Sequence, residues 1–167
     1  MATTKGLNDL LLNFMQDIYY AERQILKALP KMAKASTNPQ LKEAFVHHRE
    51  ETQVQVERLQ KAFESLGKRA RGVTCEAING LVEETEEVIE EYPEGSVRDA
   101  GLAACAQAVE HYEMARYGAL IAWAKTLGQK EVVSLLEETL AEEKKADTLL
   151  NQLASKDLNQ AALKQAA

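Results

Sequence analysis

The chain has 167 residues, 46% of them hydrophobic, enough to bury one core and a common size for a single domain. Its 20 basic residues against 26 acidic ones give a net charge of −6 with no basic stripe to offset it, which argues against nucleic acid as a partner. The apolar runs are too short to span a membrane, and the opening Met-Ala-Thr-Thr-Lys lacks the apolar core of a secretory signal. Cys75 and Cys105 have no metal-type spacing and read as inert thiols of a reduced, cytoplasmic protein.

Apolar residues recur at three and four from Leu7 to Met32 (Leu7, Leu10, Leu11, Phe14, Ile18, Ala21, Ile25, Leu29), the pattern of one long amphipathic helix. The turn Ser36-Thr37-Asn38-Pro39 predicts its end near Ala35, with Asn38 capping the next helix and Pro39 preset for the first position. That second helix runs from Pro39 to Leu66, and Gly67 is placed as its left-handed terminator. So short a turn makes the two helices antiparallel neighbours. A shorter helical pattern from Cys75 to Tyr92 carries Ile78, Leu81, Val82 and Val88, and Pro93-Glu94-Gly95 ends it. Its acidic string, Glu83, Glu84, Glu86, Glu87, Glu90 and Glu91, reads as a solvated face. Ser96 is expected to cap a third long helix reaching Leu127 and stopped by Gly128; a fourth follows to about Ala154. Residues 155–167 have little to bury and are expected to fray, leaving 1–154 as one domain.

A helix of roughly 28 residues is about 42 Å long. The two short turns each reverse the chain, whereas the stretch from Gly67 to Gly95 can travel a bundle's length. A plain up-down bundle would need only a few residues there. The expected fold is therefore all-α: a ferritin-like four-helix bundle of two antiparallel hairpins joined by a long crossover that holds a short fifth helix.

Each long helix also places acid where its stripe should be apolar. Glu22 falls between Ile18 and Ile25. Glu51 lies with Phe45, Gln55, Leu59 and Ala62. Glu110 and Glu113 interrupt Ala103, Ala106, Tyr117 and Leu120, and Glu143 and Asp147 interrupt Leu136, Leu140 and Leu150. A buried carboxylate must be neutralised by a proton, a cation or hydrogen bonds. Several converging on one bundle core read as ligands for a metal pair, so Glu22, Glu51, Gln55, Glu110, Glu113, Glu143 and Asp147 are the candidate set. In this reading Glu51 and Glu143 bridge two ions, and Glu22 and Glu113 close the ends. His48 and Tyr117 are candidates for a supporting role behind the ligands. Thr52 is expected to bond back to its helix carbonyl.

The segments Asp17-Ile-Tyr-Tyr-Ala-Glu22, His48-Arg-Glu-Glu51-Thr52 with Gln55, Glu110-His-Tyr-Glu113 followed by Tyr117-Gly118, and Glu142-Glu143-Lys-Lys-Ala-Asp147 resemble the YciE/YciF family of ferritin-like proteins. The resemblance runs from about Leu7 to Ala154. It implies a helical-bundle homodimer linked to bacterial stress responses, with a di-iron centre and oxidase or ferroxidase chemistry as the property of ferritin relatives. One departure stands out: di-iron bundles use Glu-x-x-His on two helices, and none of the three histidines follows an inward glutamate by three. An oxygen-rich shell of this kind favours hard ions over zinc or copper.

Two functions follow as expectations. In the first, two ions per chain, iron or manganese, support stress-related redox chemistry with O2 or peroxide as co-substrate. In the second, the protein is a non-enzymatic stress-response dimer whose inward acids are protonated or hold structural Ca2+ or Mg2+.

Overall fold

The computed structural model describes residues 4–165, so the first three residues of the N-terminal segment and the last two of the tail lie outside it. Four long helices form a ring: α1 (Leu7–Ala35), α2 (Pro39–Ser65), α4 (Ser96–Thr126) and α5 (Lys130–Leu153), with α3 (Glu76–Glu91) in the crossover. No strand occurs among the described residues. Asn38 caps α2 as expected, its side-chain oxygen accepting from the amides of Gln40 and Leu41 at 2.9 and 3.0 Å. Gly67 and Gly128, with φ of +66° and +70°, supply the left-handed turns that end α2 and α4. Ser96 is not a cap: α4 begins at Ser96, and Gly95 holds the preceding position with a φ of +147° that disfavours a side chain.

The side-chain contacts give the direction of every helix. Tyr19 of α1 packs edge-on against Phe63 of α2 at 5.8 Å, and Phe14 does the same to Trp123 of α4 at 5.1 Å. Arg58 of α2 reaches Glu142 of α5, and Lys125 of α4 reaches Glu137 of α5. Along neighbouring helices the contacts run in opposite order (Phe14 with Trp123 and Glu22 with Tyr117, His48 with Glu143 and Arg58 with Glu138, His111 with Asp147 and Lys125 with Glu137), and the short turn after Ala35 reverses α1 into α2, so all four adjacent pairs are antiparallel. The order around the ring is α1, α2, α5, α4, and α2 and α4 run in the same direction from opposite corners. The chain must therefore travel from the far end back to the near end between Gly67 and Gly95, and α3 makes that journey alongside α1. Tyr20 donates to Asn79 at 2.9 Å, Lys31 meets Glu86 at 2.5 Å further along, and Gly101 lets α4 close on Val88 of α3.

Buried Asp99 fixes the near end. Its carboxylate accepts from the backbone amides of Thr37 and Asn38, both at 2.8 Å, and from the Thr37 hydroxyl at 2.5 Å. One side chain in the first turn of α4 thus satisfies the α1–α2 turn. The outer face of α3 exposes Glu83, Glu84, Glu87, Glu90 and Glu91, as a solvated face should.

The fraying expected beyond residue 154 does not occur over the described part of that segment. A π-helical turn (Ala154–Leu158) carries α5 into α6 (Asn159–Gln165), and this extension packs against α4. Leu158 is the reason: the wider turn rotates it inward, where it is only 1% exposed. One buried leucine in a tail rich in glutamine and alanine is too little for a periodicity to register.

Candidate metal centre

The apolar core is interrupted midway along the ring by one polar patch. α1 contributes Glu22, α2 His48, Thr52 and Gln55, α4 Glu110, Glu113 and Tyr117, and α5 Thr139 and Glu143, all of them buried. The helical period explains the grouping, since residues three and four apart stack on one face. His48, Glu110, Glu113 and Glu143 each offer a ligand atom, and the four atoms lie within 4.8 Å of one another. His48 Nε2 is 3.1 Å from Glu110 Oε1 and 3.7 Å from Glu143 Oε2. Neither approach has hydrogen-bond geometry.

Eight buried polar side-chain atoms lack a hydrogen bond among the described residues, and every one belongs to this patch. They are Glu22 Oε2, His48 Nε2, Gln55 Oε1, Glu110 Oε2 and both carboxylate oxygens of Glu113 and of Glu143. Leaving one such group unpartnered costs about 1–3 kcal/mol. Eight together would cost on the order of the whole stability of a domain, about 5–15 kcal/mol. Something must partner them.

Protons are the first candidate. Burial, then the negative charge of Glu143, pushes the Glu22 carboxyl up from its ordinary 4.5 to about 8. Burial also lifts Glu110 to about 7 and holds Glu113 and Glu143 well above the usual carboxylate range. For His48, burial alone would lower the pKa, but the Glu51 contact and the charges of Glu143 and Glu22 outweigh it, and the net direction is up. Two carboxyl pairs lie close, Glu22 with Glu113 and Glu110 with Glu143. One shared proton per pair satisfies at most two atoms in each, leaving four of the eight. A cation does more, because a single ion accepts lone pairs from several of these atoms at once. Three carboxylates with one imidazole suit a divalent ion of the Mn2+ or Fe2+ kind.

The shell around the patch is better satisfied. The Tyr117 hydroxyl donates a very short hydrogen bond to Glu22 Oε1. Arg58 holds Glu142 in a two-point pairing with both distances 2.6 Å and donates to the Thr139 hydroxyl at 3.2 Å. Gln55 spends its amide on Glu142 at 3.1 Å, which leaves its oxygen unpartnered. Thr52 bonds back to the His48 carbonyl at 2.8 Å, as expected, and so steadies the turn that carries the imidazole.

Of the seven candidate ligands, Glu22, Gln55, Glu110, Glu113 and Glu143 are brought together. Glu51 and Asp147 are not: both sit at the rim with side chains about a quarter exposed, Glu51 3.5 Å from His48 Nδ1 and from His47, and Asp147 3.1 Å from His111. Glu51 therefore does not bridge from the second helix. His48, expected behind the ligands, is among the four that share the ligand-sized space. The signal was present in the sequence. At about 100° per residue, His48 falls near the centre of the stripe holding Thr52, Gln55 and Leu59, whereas Glu51 lies about 60° to one side. Thr139, also unforeseen, is fully buried beside Arg58.

This geometry defines a class: a ferritin-like helical bundle with a buried carboxylate and histidine cluster. The profile of the family described as domain of unknown function DUF892 matches residues 6–163, and the chain belongs to that family, in agreement with its resemblance to YciE/YciF proteins. It is 43% identical to protein YciF of Escherichia coli over 159 residues, 95% of this chain and 96% of the relative. The crystal structure of that E. coli stress protein superimposes with a TM-score of 0.89, covering 93% of this chain and 99% of the other. A Rhodopseudomonas palustris protein, YcfI, proposed to be structural, matches with a TM-score of 0.87 at 51% identity over 90% and 96% of the two chains. A Xanthomonas campestris protein at 22% identity shares the fold, with a TM-score of 0.76 over 97% of this chain and 100% of the other. Among the described residues no helix is long and apolar enough to cross a membrane.

Proposed function

We propose that this chain is a ferritin-like metal-carboxylate protein of the bacterial stress response, cytoplasmic and homodimeric, with redox or ferroxidase-type activity at the buried cluster. The carrying observation is the set of eight unpartnered buried atoms, all in one patch and supplied by all four helices of the ring. His48, Glu110, Glu113 and Glu143 would hold one ion, and Glu22, close to Glu113 and restrained by Tyr117, would help hold a second. A bound iron or manganese ion supplies one-electron chemistry, with Fe2+ as the substrate in the ferroxidase case and O2 or peroxide as the oxidant. The chain's own residues set the charge balance. Carboxyls whose pKa values burial has raised release their protons when cation charge enters, so proton loss offsets the incoming charge. Arg58 and Glu142 hold one wall of the site in place through their two-point pairing. The imidazole favours iron or manganese over the purely oxygen-seeking Ca2+ and Mg2+. Two buried free cysteines suit a reducing compartment, and the dimer rests on the family resemblance.

The second reading is a non-enzymatic stress-response protein whose acids stay protonated or hold Ca2+ or Mg2+. The structural role proposed for the R. palustris relative favours it. Elemental analysis of protein purified without added metal separates the two, with about two irons or manganese per chain expected on the first reading. Anaerobic Fe2+ loading followed by air should then oxidise iron faster in the parent than in a Glu113→Gln, Glu143→Gln variant. Equal rates would remove the enzymatic claim, and Ca2+, Mg2+ or no metal would favour the second reading.

A further inference from the structure

Each of the four ring helices lends an alanine to the wall of one space: Ala28 of α1, Ala44 of α2, Ala106 of α4 and Ala146 of α5. The volume that longer side chains would fill remains as a cavity of about 180 Å3, several times the roughly 30 Å3 share of one water molecule. Ile25, Leu29, Phe45, Val109 and Leu150 form most of the remaining wall, and the cavity meets solvent beside His47, Glu51, Lys145 and Leu149. Close-packed cores leave few voids of this size, because an unfilled one is destabilising.

The polar side chains of the wall have little to offer a guest. The Thr85 hydroxyl donates to the Leu81 carbonyl at 2.9 Å. His48 Nδ1 faces Glu51 at 3.5 Å, while Nε2 points into the cluster, 3.1 Å from Glu110 Oε1. That Nε2 and Glu110 Oε2 are closed off from the cavity. His47, Glu51 and Lys145 stand at the opening, where the Lys145 charge lies close to Glu51 and discourages a cation. An ion entering here would give up water ligands for an apolar wall, and peroxide would lose hydrogen bonds without replacement. Dioxygen has no hydrogen bonds to lose and moves readily from water into apolar space. His48 and Glu110 line this cavity and also belong to the four-residue cluster, so one layer of side chains separates the two. We propose that this cavity takes up dioxygen and delivers it to the cluster, so that O2 and not peroxide is the oxidant there. The proposal rests on the redox reading given above.

Dissolved O2 is paramagnetic and speeds the nuclear relaxation of the methyl groups it touches, so O2 itself is the probe, applied to full-length metal-free protein. Under O2 pressure the methyls of Ile25, Leu29 and Leu150 should relax severalfold faster than those of Leu11, Leu59 and Leu136, which are equally buried but outside the cavity. Equal relaxation in the two groups would overturn the site. Delivery is read on protein loaded anaerobically with Fe2+ and then mixed with O2 or with hydrogen peroxide. In Ala44→Leu and Ala146→Leu, which fill the cavity, oxidation by O2 should slow severalfold, with iron content and the peroxide rate unchanged. No slowing with O2, equal slowing with both oxidants, or a parent that reacts with peroxide alone would overturn delivery and leave the metal centre standing. A parent protein that holds no iron or manganese would overturn the metal reading, and delivery with it. Where a leucine variant fails to fold, Ala44→Val fills less of the space and is judged by the same two rates.

Discussion

Raising the pH of the metal-free protein from 5 to 8 should destabilise it. The acids of the patch have folded pKa values above the unfolded one, so between those values the folded chain holds protons that the unfolded chain has lost. Their contribution is fully present below the ordinary 4.5 and disappears as the pH rises through about 7 for Glu110 and about 8 for Glu22. One pKa unit corresponds to about 1.4 kcal/mol. Over this range either residue alone would account for a loss of about 3 kcal/mol. The two are not additive, because each is raised partly by its acidic neighbours. His48, its pKa also raised, acts in the same direction. For a domain of this size about 3 kcal/mol corresponds to a fall in Tm of about 6–12 °C. Calorimetric scans of chelator-treated protein at steps of pH would measure it. Mn2+ at a hundred times its Kd should restore about 2.7 kcal/mol, and that Kd should be lower at pH 8 than at pH 5, where protons compete for the same oxygens. A Glu113→Gln, Glu143→Gln variant should show a flattened profile. A Tm that stays level from pH 5 to 8, or a slope unchanged in that variant, would refute the claim that these carboxyls are buried together.

Two further outcomes test other parts of the structure. Tyr117→Phe removes the hydroxyl that donates to Glu22 and should cost the metal-free protein about 1–3 kcal/mol in a denaturant titration, with a smaller loss once metal is bound. Leu158→Ala should cost about 2–5 kcal/mol, since the side chain is buried against the core; a loss near zero would mean the extension beyond α5 does not pack.

The helices and their turns were legible from local chemistry. Asn38-Pro39 states a helix start, Gly67 and Gly128 state two ends, and both act through the conformations available to a few neighbouring residues. The crossover was also legible, because a stretch of that length cannot be a tight turn. Ser96 was misread because a serine before a helix and a serine opening one look alike when the φ of Gly95 is unknown. The tail was misread because the inward turn of Leu158 depends on a π-helical turn that no apolar repeat announces.

The site divides in the same way. That Glu22, Glu110, Glu113 and Glu143 interrupt apolar stripes follows from a period of 3.6 residues, and their burial follows from that alone. Which side chains meet depends on how each helix is rotated against its neighbours, and a rotation of about 60° separates His48 from Glu51 on the same helix. That rotation is set by packing across the ring, by contacts such as Arg58 with Glu142 and Tyr117 with Glu22, between residues 84 and 95 positions apart in the chain. The apolar period alone determined that acids would lie inside α1, α4 and α5. Only the tertiary structure decided that histidine joins them and that two of the acids turn to the rim.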